Sequence, residues 1–174
     1  MKPSAPMGDN PALNLAVAAG MLGFTMTRQP PRCTPQQGTV VGNNTQFPAS
    51  VFKAYDIRGT VPDLIDATFA RALGVALAAR ARAQGVQTLV VGRDGRLSSE
   101  MLSLALQEGM LEGGVDTLDV GMVPTPLVYF AANIMQTGSG VAITGSHNPP
   151  KYNGFKMMMG GRRRHTARVR PSSS

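Results

Sequence analysis

The chain has 174 residues, 43% hydrophobic and 16% charged, which is enough apolar material for one domain with a core and too much for a disordered polymer. Its formal net charge of +7 invites a polyanionic partner, yet the excess sits at the ends: Arg162, Arg163, Arg164, Arg168 and Arg170 face no acid in 161–174, and Lys2, Arg28 and Arg32 face only Asp9 in 1–50. Residues 51–160 are balanced, and the lone Cys33 excludes an internal disulfide and a cysteine metal site, which fits a cytoplasmic location.

Residues 1–50, with Gln29-Pro30-Pro31-Arg32 and Gly42-Asn43-Asn44-Thr45, read as a flexible leader or as sequence upstream of the true start. The apolar stretch 12–24 is interrupted by Asn14, Gly20 and Gly23 and is too short to span a bilayer, so no membrane partner is expected. From Val51 the pattern becomes α/β. Ile65, Phe69, Leu73, Ala76 and Leu77 recur at helical spacing, which predicts a helix over 64–83, with Asp63 as N-cap and Gly85 as its stop. Residues 88–92 read as a short buried strand. A second helix opens at Ser98 or Ser99, with Glu100 at its positive end, and closes at Gly113-Gly114. Residues 116–121 alternate as a half-exposed strand does, and Pro124 and Pro126 lead into a third helix through Leu127, Val128, Phe130, Ala131 and Ile134. Residues 140–144 form a last apolar run that delivers Ser146 at its carboxyl end.

Alternating strands and helices predict an α/β fold with a mixed, mainly parallel sheet flanked by helices, and with disordered or irregular ends. The domain then spans 51–160, between the leader 1–50 and an Arg/Ser-rich tail 161–174. Ligands of such sheets bind beyond the carboxyl ends of the strands, where Ser146 falls.

Ser146 by itself reads most simply as a turn serine capping its own backbone. Its setting argues for more. In Thr144-Gly145-Ser146-His147-Asn148-Pro149-Pro150-Lys151-Tyr152-Asn153-Gly154-Phe155-Lys156 a hydroxyl stands on a stiff Gly/Asn/Pro turn, followed by an imidazole and, ten residues on, an ammonium. Adjacency makes His147 a poor base for Ser146, since neighbouring side chains diverge, and favours a role in orienting the loop or a phosphate. This stretch resembles the phosphoserine loop of the α-D-phosphohexomutases, the bacterial phosphomannomutase/phosphoglucomutase family. Phe52-Lys53-Ala54-Tyr55-Asp56-Ile57-Arg58-Gly59 resembles that family's N-terminal signature. Together the two blocks tie residues 47–160 to the first of the family's four domains.

The resemblance implies that Ser146 carries the phosphoryl group, that Arg58 faces it, that Tyr55 lines the same pocket, and that Lys156 stabilises phosphoryl oxygens or assists proton transfer. The residue reading of Arg58 alone allows a simple surface pair with Asp56. Gly92-Arg93-Asp94-Gly95-Arg96 is also similar to a family stretch, but by itself reads as a structural turn with a surface ion pair. The methionines Met101, Met110 and Met157, Met158, Met159 are expected to pack against apolar neighbours rather than bind metal.

Further implications of the resemblance are hexose phosphates as substrates, a sugar bisphosphate as activator, and Mg2+ held through the Ser146 phosphate. The family's remaining magnesium ligands are three aspartates of a later Asp-Gly-Asp-Gly-Asp loop, a string this sequence does not contain. Mutase turnover is therefore not expected of the chain alone, which reads as a truncated enzyme with a tail of frameshifted character. The alternatives are a regulatory fragment that associates with a full-length mutase, or a binding module whose Arg-rich tail engages acidic partners. The tail has no aromatic residue for stacking and no recognition helix, which disfavours nucleic acid.

Overall fold

The computed structural model describes residues 25–27 and 47–160. The expectations for the rest of the 1–50 leader, for Cys33 and for the 161–174 tail lie outside the described residues. Strand β1 (Thr25–Thr27) falls within the segment read as leader. It is followed by a 3-10 turn (Ala49–Val51), β2 (Ile57–Thr60), α1 (Ala67–Ala83), β3 (Thr88–Arg93), α2 (Leu97–Glu112), β4 (Asp116–Met122), α3 (Thr125–Ile134), β5 (Ser139–Ile143) and β6 (Tyr152–Met159).

The six strands form one sheet in the order β1-β4-β3-β5-β6-β2. Its centre is parallel, β3 pairing with both β4 and β5, whereas β1–β4, β5–β6 and β6–β2 are antiparallel. Because β2 opposes β6 and β6 opposes β5, strands β2, β3, β4 and β5 all run one way. The sheet is thus mixed and mostly co-directional, as expected, with its reversals confined to the flanks.

Strand residues alternate between two cores. Leu89, Val91, Val141, Ile143 and Phe155 face α1 and α2, meeting Phe69, Leu73, Leu77, Leu102, Leu106 and Met110. Val90, Leu118 and Ala142 face α3, meeting Val128, Ala131 and Ala132. Met157 and Met159 pack against the first core and Met158 against the second, so the methionine run packs as expected, on alternate faces of a strand. Met110 is fully buried, whereas Met101, expected to pack likewise, is exposed on the outer face of α2.

Helix boundaries obey local chemistry, though not always at the expected residue. Helix α1 begins one turn later than its apolar pattern, and its cap is Asp66, not Asp63: the Asp66 carboxylate accepts from the Phe69 N–H at 2.7 Å. Residues 61–64 instead form a turn, with a cis peptide at Val61–Pro62. Gly85, at φ +72°, ends α1 by a Schellman motif, with Val86 N–H donating to Ala81 and Gly85 N–H to Arg82. Gly114 ends α2 in the same way. Neither Ser98 nor Ser99 caps α2; the cap residue is Arg96, and the serines lie in the first turn, turned to other uses. No helix among the described residues is long and apolar enough to cross a membrane.

Helices α1 and α2 touch backbone to backbone. A Cβ at Gly109 would overlap the Arg71 carbonyl, and one at Gly74 would overlap the Leu106 carbonyl. Backbone cannot give way as a flexible side chain can. Gly109→Ala is accordingly expected to cost about 3 kcal/mol. The urea midpoint measures this, and a midpoint equal to that of the unmodified chain would show that the helices are not in such close contact.

Candidate functional site

The site lies at the carboxyl ends of β3 and β5 and along the β6–β2 edge. Parallel pairing places Arg93 opposite Ile143, so the turn after β3 and the loop after β5 leave the sheet side by side. Asp94 N–H donates to the Ile143 carbonyl at 2.9 Å and locks the two exits together. The antiparallel strand β6 then returns along β5 and pairs on its far side with β2, setting Arg58 opposite Gly154 and Ile57 opposite Phe155.

An open cleft of about 580 Å³ follows from this arrangement. It is lined by Ser50, Lys53, Asp56, Arg58, Gly59, Leu64, Ser146, His147, Asn148, Tyr152 and Lys156. Ser146 is exposed there at φ +51°, a left-handed conformation that is uncommon for a serine. Its N–H donates to Thr144 Oγ1 at 2.9 Å. His147 lines the same cleft, contrary to the expected divergence of neighbours, because the left-handed turn at Ser146 breaks the alternation of an extended chain.

Arg58 is only 8% exposed. Its Nε donates to Asp56 Oδ2 at 2.9 Å and its Nη1 donates to the Thr144 carbonyl. The pair with Asp56 therefore exists, but it is not a surface decoration; it fixes a guanidinium in the cleft wall. Lys156 enters from β6, where it pairs with Ala142. Tyr55, expected in the pocket, is 95% exposed and does not line it. The turn closed by Lys53 N–H donating to the Asp56 carbonyl sends Lys53 and Asp56 into the cleft wall and leaves Tyr55 at the tip.

Lys53 belongs to the quoted block but had no role from sequence. Its basic character in a block already pointing to phosphate was the available signal. The cleft thus gathers Lys53, Arg58, Lys156 and His147 with Ser146 and Ser50, and Asp56, already paired to Arg58, is its acid. Such a surplus of donors and positive charge suits a multiply charged anion.

Sequence reasoning also underrated Asp94 and Arg96. Asp94 Oδ2 accepts from Gly145 N–H at 2.9 Å, and its Oδ1 accepts from Ser99 Oγ at 2.5 Å and Arg96 N–H at 3.1 Å. Burial pushes the Asp94 pKa up, but these donors, with the Thr144 side chain, outweigh it and hold the carboxyl below its ordinary 3.8. A depressed folded-state pKa contributes stability above the unfolded value and loses it as pH falls through the folded one. Between pH 5 and pH 3, Asp94→Asn is expected to lose less stability than the parent chain, from a lower starting point. Urea midpoints across that range test this, and parallel slopes would remove Asp94 from the acid response.

Asn153 is fully buried on β6 and reaches the start of α2, donating to Ser98 Oγ at 2.8 Å and Ser99 Oγ at 2.9 Å. It anchors the strand rather than stiffening the loop. At Gly154 the backbones of β6 and β2 come close: a Cβ there would overlap the Ile57 carbonyl.

Among the described residues no group of three or more His, Cys, Asp or Glu side chains could hold a metal ion. The carboxylate under the loop, Asp94, is committed to four donors. These residues do not by themselves fit a magnesium cage.

Fold and site together define an α/β domain that presents a serine in a left-handed conformation to a cleft lined by three basic side chains. The chain belongs to the phosphoglucomutase/phosphomannomutase family, whose alpha/beta/alpha domain I matches residues 49–166. It is 51% identical over 115 residues to a phosphomannomutase/phosphoglucomutase of Pseudomonas aeruginosa PAO1, covering 66% of this chain and 25% of that protein. It is 53% identical over 111 residues to a phosphoglucomutase of Neisseria gonorrhoeae, covering 64% and 24%. A crystal structure of a phosphoglucomutase/phosphomannomutase family protein from Burkholderia thailandensis superposes with a TM-score of 0.62 at 47% identity, covering 67% of this chain and 27% of that one. The chain thus spans about a quarter of the length of the relatives it matches.

Proposed function

We propose that this chain supplies the phosphoryl-accepting part of a hexose-phosphate mutase site, with Ser146 as the acceptor. The observation that carries the reading is Ser146, held in a left-handed conformation at the rim of a cleft lined by Lys53, Arg58 and Lys156. Relatives named phosphomannomutase/phosphoglucomutase give the substrate class, hexose phosphates. In the step envisaged, Ser146 Oγ forms a bond to the phosphorus of a sugar phosphate ester as the ester oxygen–phosphorus bond breaks. The serine proton ends on the departing sugar oxygen. Phosphoryl transfer asks for positioning and for positive charge on the equatorial oxygens. Arg58 and Lys156 supply that charge, and His147 orients the group at the cleft mouth.

In the relatives, about three quarters of the protein lies beyond the part matched here. We therefore assign interconversion of 1- and 6-phosphates to the complete family architecture, and phosphate acceptance to this domain. Incubation of the 174-residue chain with glucose 1,6-bisphosphate is expected to add ~80 Da, the mass of one phosphoryl group, localised to Ser146. No added mass, or mass on another residue, would refute the assignment. Steady-state interconversion by the chain alone would refute the division of labour.

A further inference from the structure

The turn after β3 holds a device that the reading of the cleft does not use. Arg96 extends beneath the Ser146 loop, and its guanidinium is met there by four backbone carbonyls. Nη1 donates to Pro149 at 2.6 Å and Tyr152 at 2.9 Å; Nη2 donates to Ser146 at 3.1 Å and Asn148 at 2.7 Å. The remaining nitrogen, Nε, faces Asp94 Oδ2 at 3.5 Å. All four carbonyls belong to residues 146–152, so one side chain closes the loop upon itself.

Gly145 makes this possible. A Cβ at that position would overlap Cζ and Nε of Arg96, so the guanidinium occupies the space that any other residue there would fill. Asp94 holds the Gly145 N–H from the same turn. The five-residue string 92–96 therefore grips the loop twice, by an amide and by its carbonyls.

We infer that Arg96 is the positioning residue of the acceptor serine: by fixing the Ser146 carbonyl on one side while Thr144 Oγ1 fixes its N–H on the other, it holds the left-handed backbone that presents Oγ to the cleft. Left-handed geometry at a residue with a side chain persists only where its surroundings impose it. Arg96 is not among the residues lining the cleft, and its donors are spent on carbonyls. It acts on the orientation of the nucleophile and not on the affinity for the sugar phosphate. A planar fork can serve four acceptors at once; an ammonium has three donors on one point and cannot span them.

The inference rests on Ser146 being the phosphate acceptor, and the test separates the two. Single-turnover phosphorylation by glucose 1,6-bisphosphate is followed by intact mass across donor concentrations. For Arg96→Lys the limiting rate is expected to fall 10- to 100-fold, the size of effect that follows from misplacing a reacting group. The donor concentration giving half the limiting rate stays within about twofold, because the cleft cations remain. Arg96→Ala should be slower still and should recover part of its rate with millimolar guanidinium ion, a rescue that general destabilisation would not show. An unchanged limiting rate in both variants, or a change only in the half-saturating concentration, overturns the inference.

If the unmodified chain takes up no phosphate, the acceptor assignment fails while the clamp remains testable by hydrogen exchange. Arg96→Lys should then speed exchange within residues 145–152 and leave β3 and α1 unchanged. Equal protection in that loop would refute the clamp. Should Arg96→Ala not fold, Arg96→Lys, which keeps the charge and the aliphatic stem, carries the test.

Discussion

Ser146→Ala is expected to abolish phosphate uptake from glucose 1,6-bisphosphate altogether while leaving the fold intact. Ser50 and Tyr152 also line the cleft, but neither carries its hydroxyl on the turn directly after β5 that presents residue 146. Thr144 is largely buried, and its Oγ1 already accepts from the Ser146 N–H. That hydrogen bond uses the backbone of residue 146 and survives the change. A left-handed conformation costs roughly 1–2 kcal/mol for a residue with a Cβ, so Ser146→Gly should match or exceed the stability of the parent chain while accepting no phosphate. Such a pair, inactive but no less stable, is the mark of strain kept for function. Intact mass and urea denaturation on the same samples decide it. Mass added to Ser146→Ala would move the acceptor elsewhere; a clear loss of stability in Ser146→Gly would show that the serine side chain has a structural duty.

Gly154→Ala is expected to disable both fold and site. Gly154 lies opposite Arg58 in the β2–β6 pairing, and a Cβ there would overlap the Ile57 carbonyl and approach Arg58 Cδ at 2.9 Å. The carbonyl is backbone and cannot swing aside, so strand β2 must shift away from β6. That movement would loosen Phe155, fully buried in the core facing α1 and α2, and displace Arg58 from the Thr144 carbonyl to which it donates. A destabilisation of about 3 kcal/mol is expected, together with loss of Ser146 phosphorylation in whatever fraction remains folded. Gly95→Ala is the stability control: its Cβ would meet only the Met122 sulfur at 3.5 Å, an ordinary contact. A Gly154→Ala chain with the parent's urea midpoint and phosphorylation rate would mean that the strands tolerate a wider spacing.

The limits of sequence reading show in particular residues. Asp63 stands directly before the apolar run that begins at Leu64, and near-neighbour reasoning makes it the cap. The role fell instead to Asp66 because the chain first turns at 61–64, with Leu64 and Ile65 N–H groups donating to the Thr60 carbonyl. Ser98 and Ser99 carry a helix-start signature, yet their hydroxyls accept from Asn153, a partner far away in sequence. The pair between Asp94 and Arg96 was legible as a pair but not as a clamp, because its other partners are backbone carbonyls, which every residue possesses and which leave no trace in sequence. Tyr55 was placed in the pocket by likeness of its block, and a single tight turn put it outside.

What the sequence determined by itself was whatever depends on near neighbours. Apolar periodicity gave α1, β3, α2, β4, α3 and β5 in order; glycines gave the stops of α1 and α2; and two short blocks gave Ser146, Arg58 and Lys156 as candidates. Tertiary structure alone decided that residues 57–60 and 152–159 are strands and that they pair. Asn153, Gly154 and Lys156 interrupt the apolar pattern of β6, and its backbone finds its partners across two strand boundaries, in β5 and β2. A hydrogen-bond ladder between distant segments has no period in either segment. It forms because buried Ile57 and Phe155 and the bare backbone of Gly154 fit together in space, and only that fit brings Arg58 and Lys156 to the same serine.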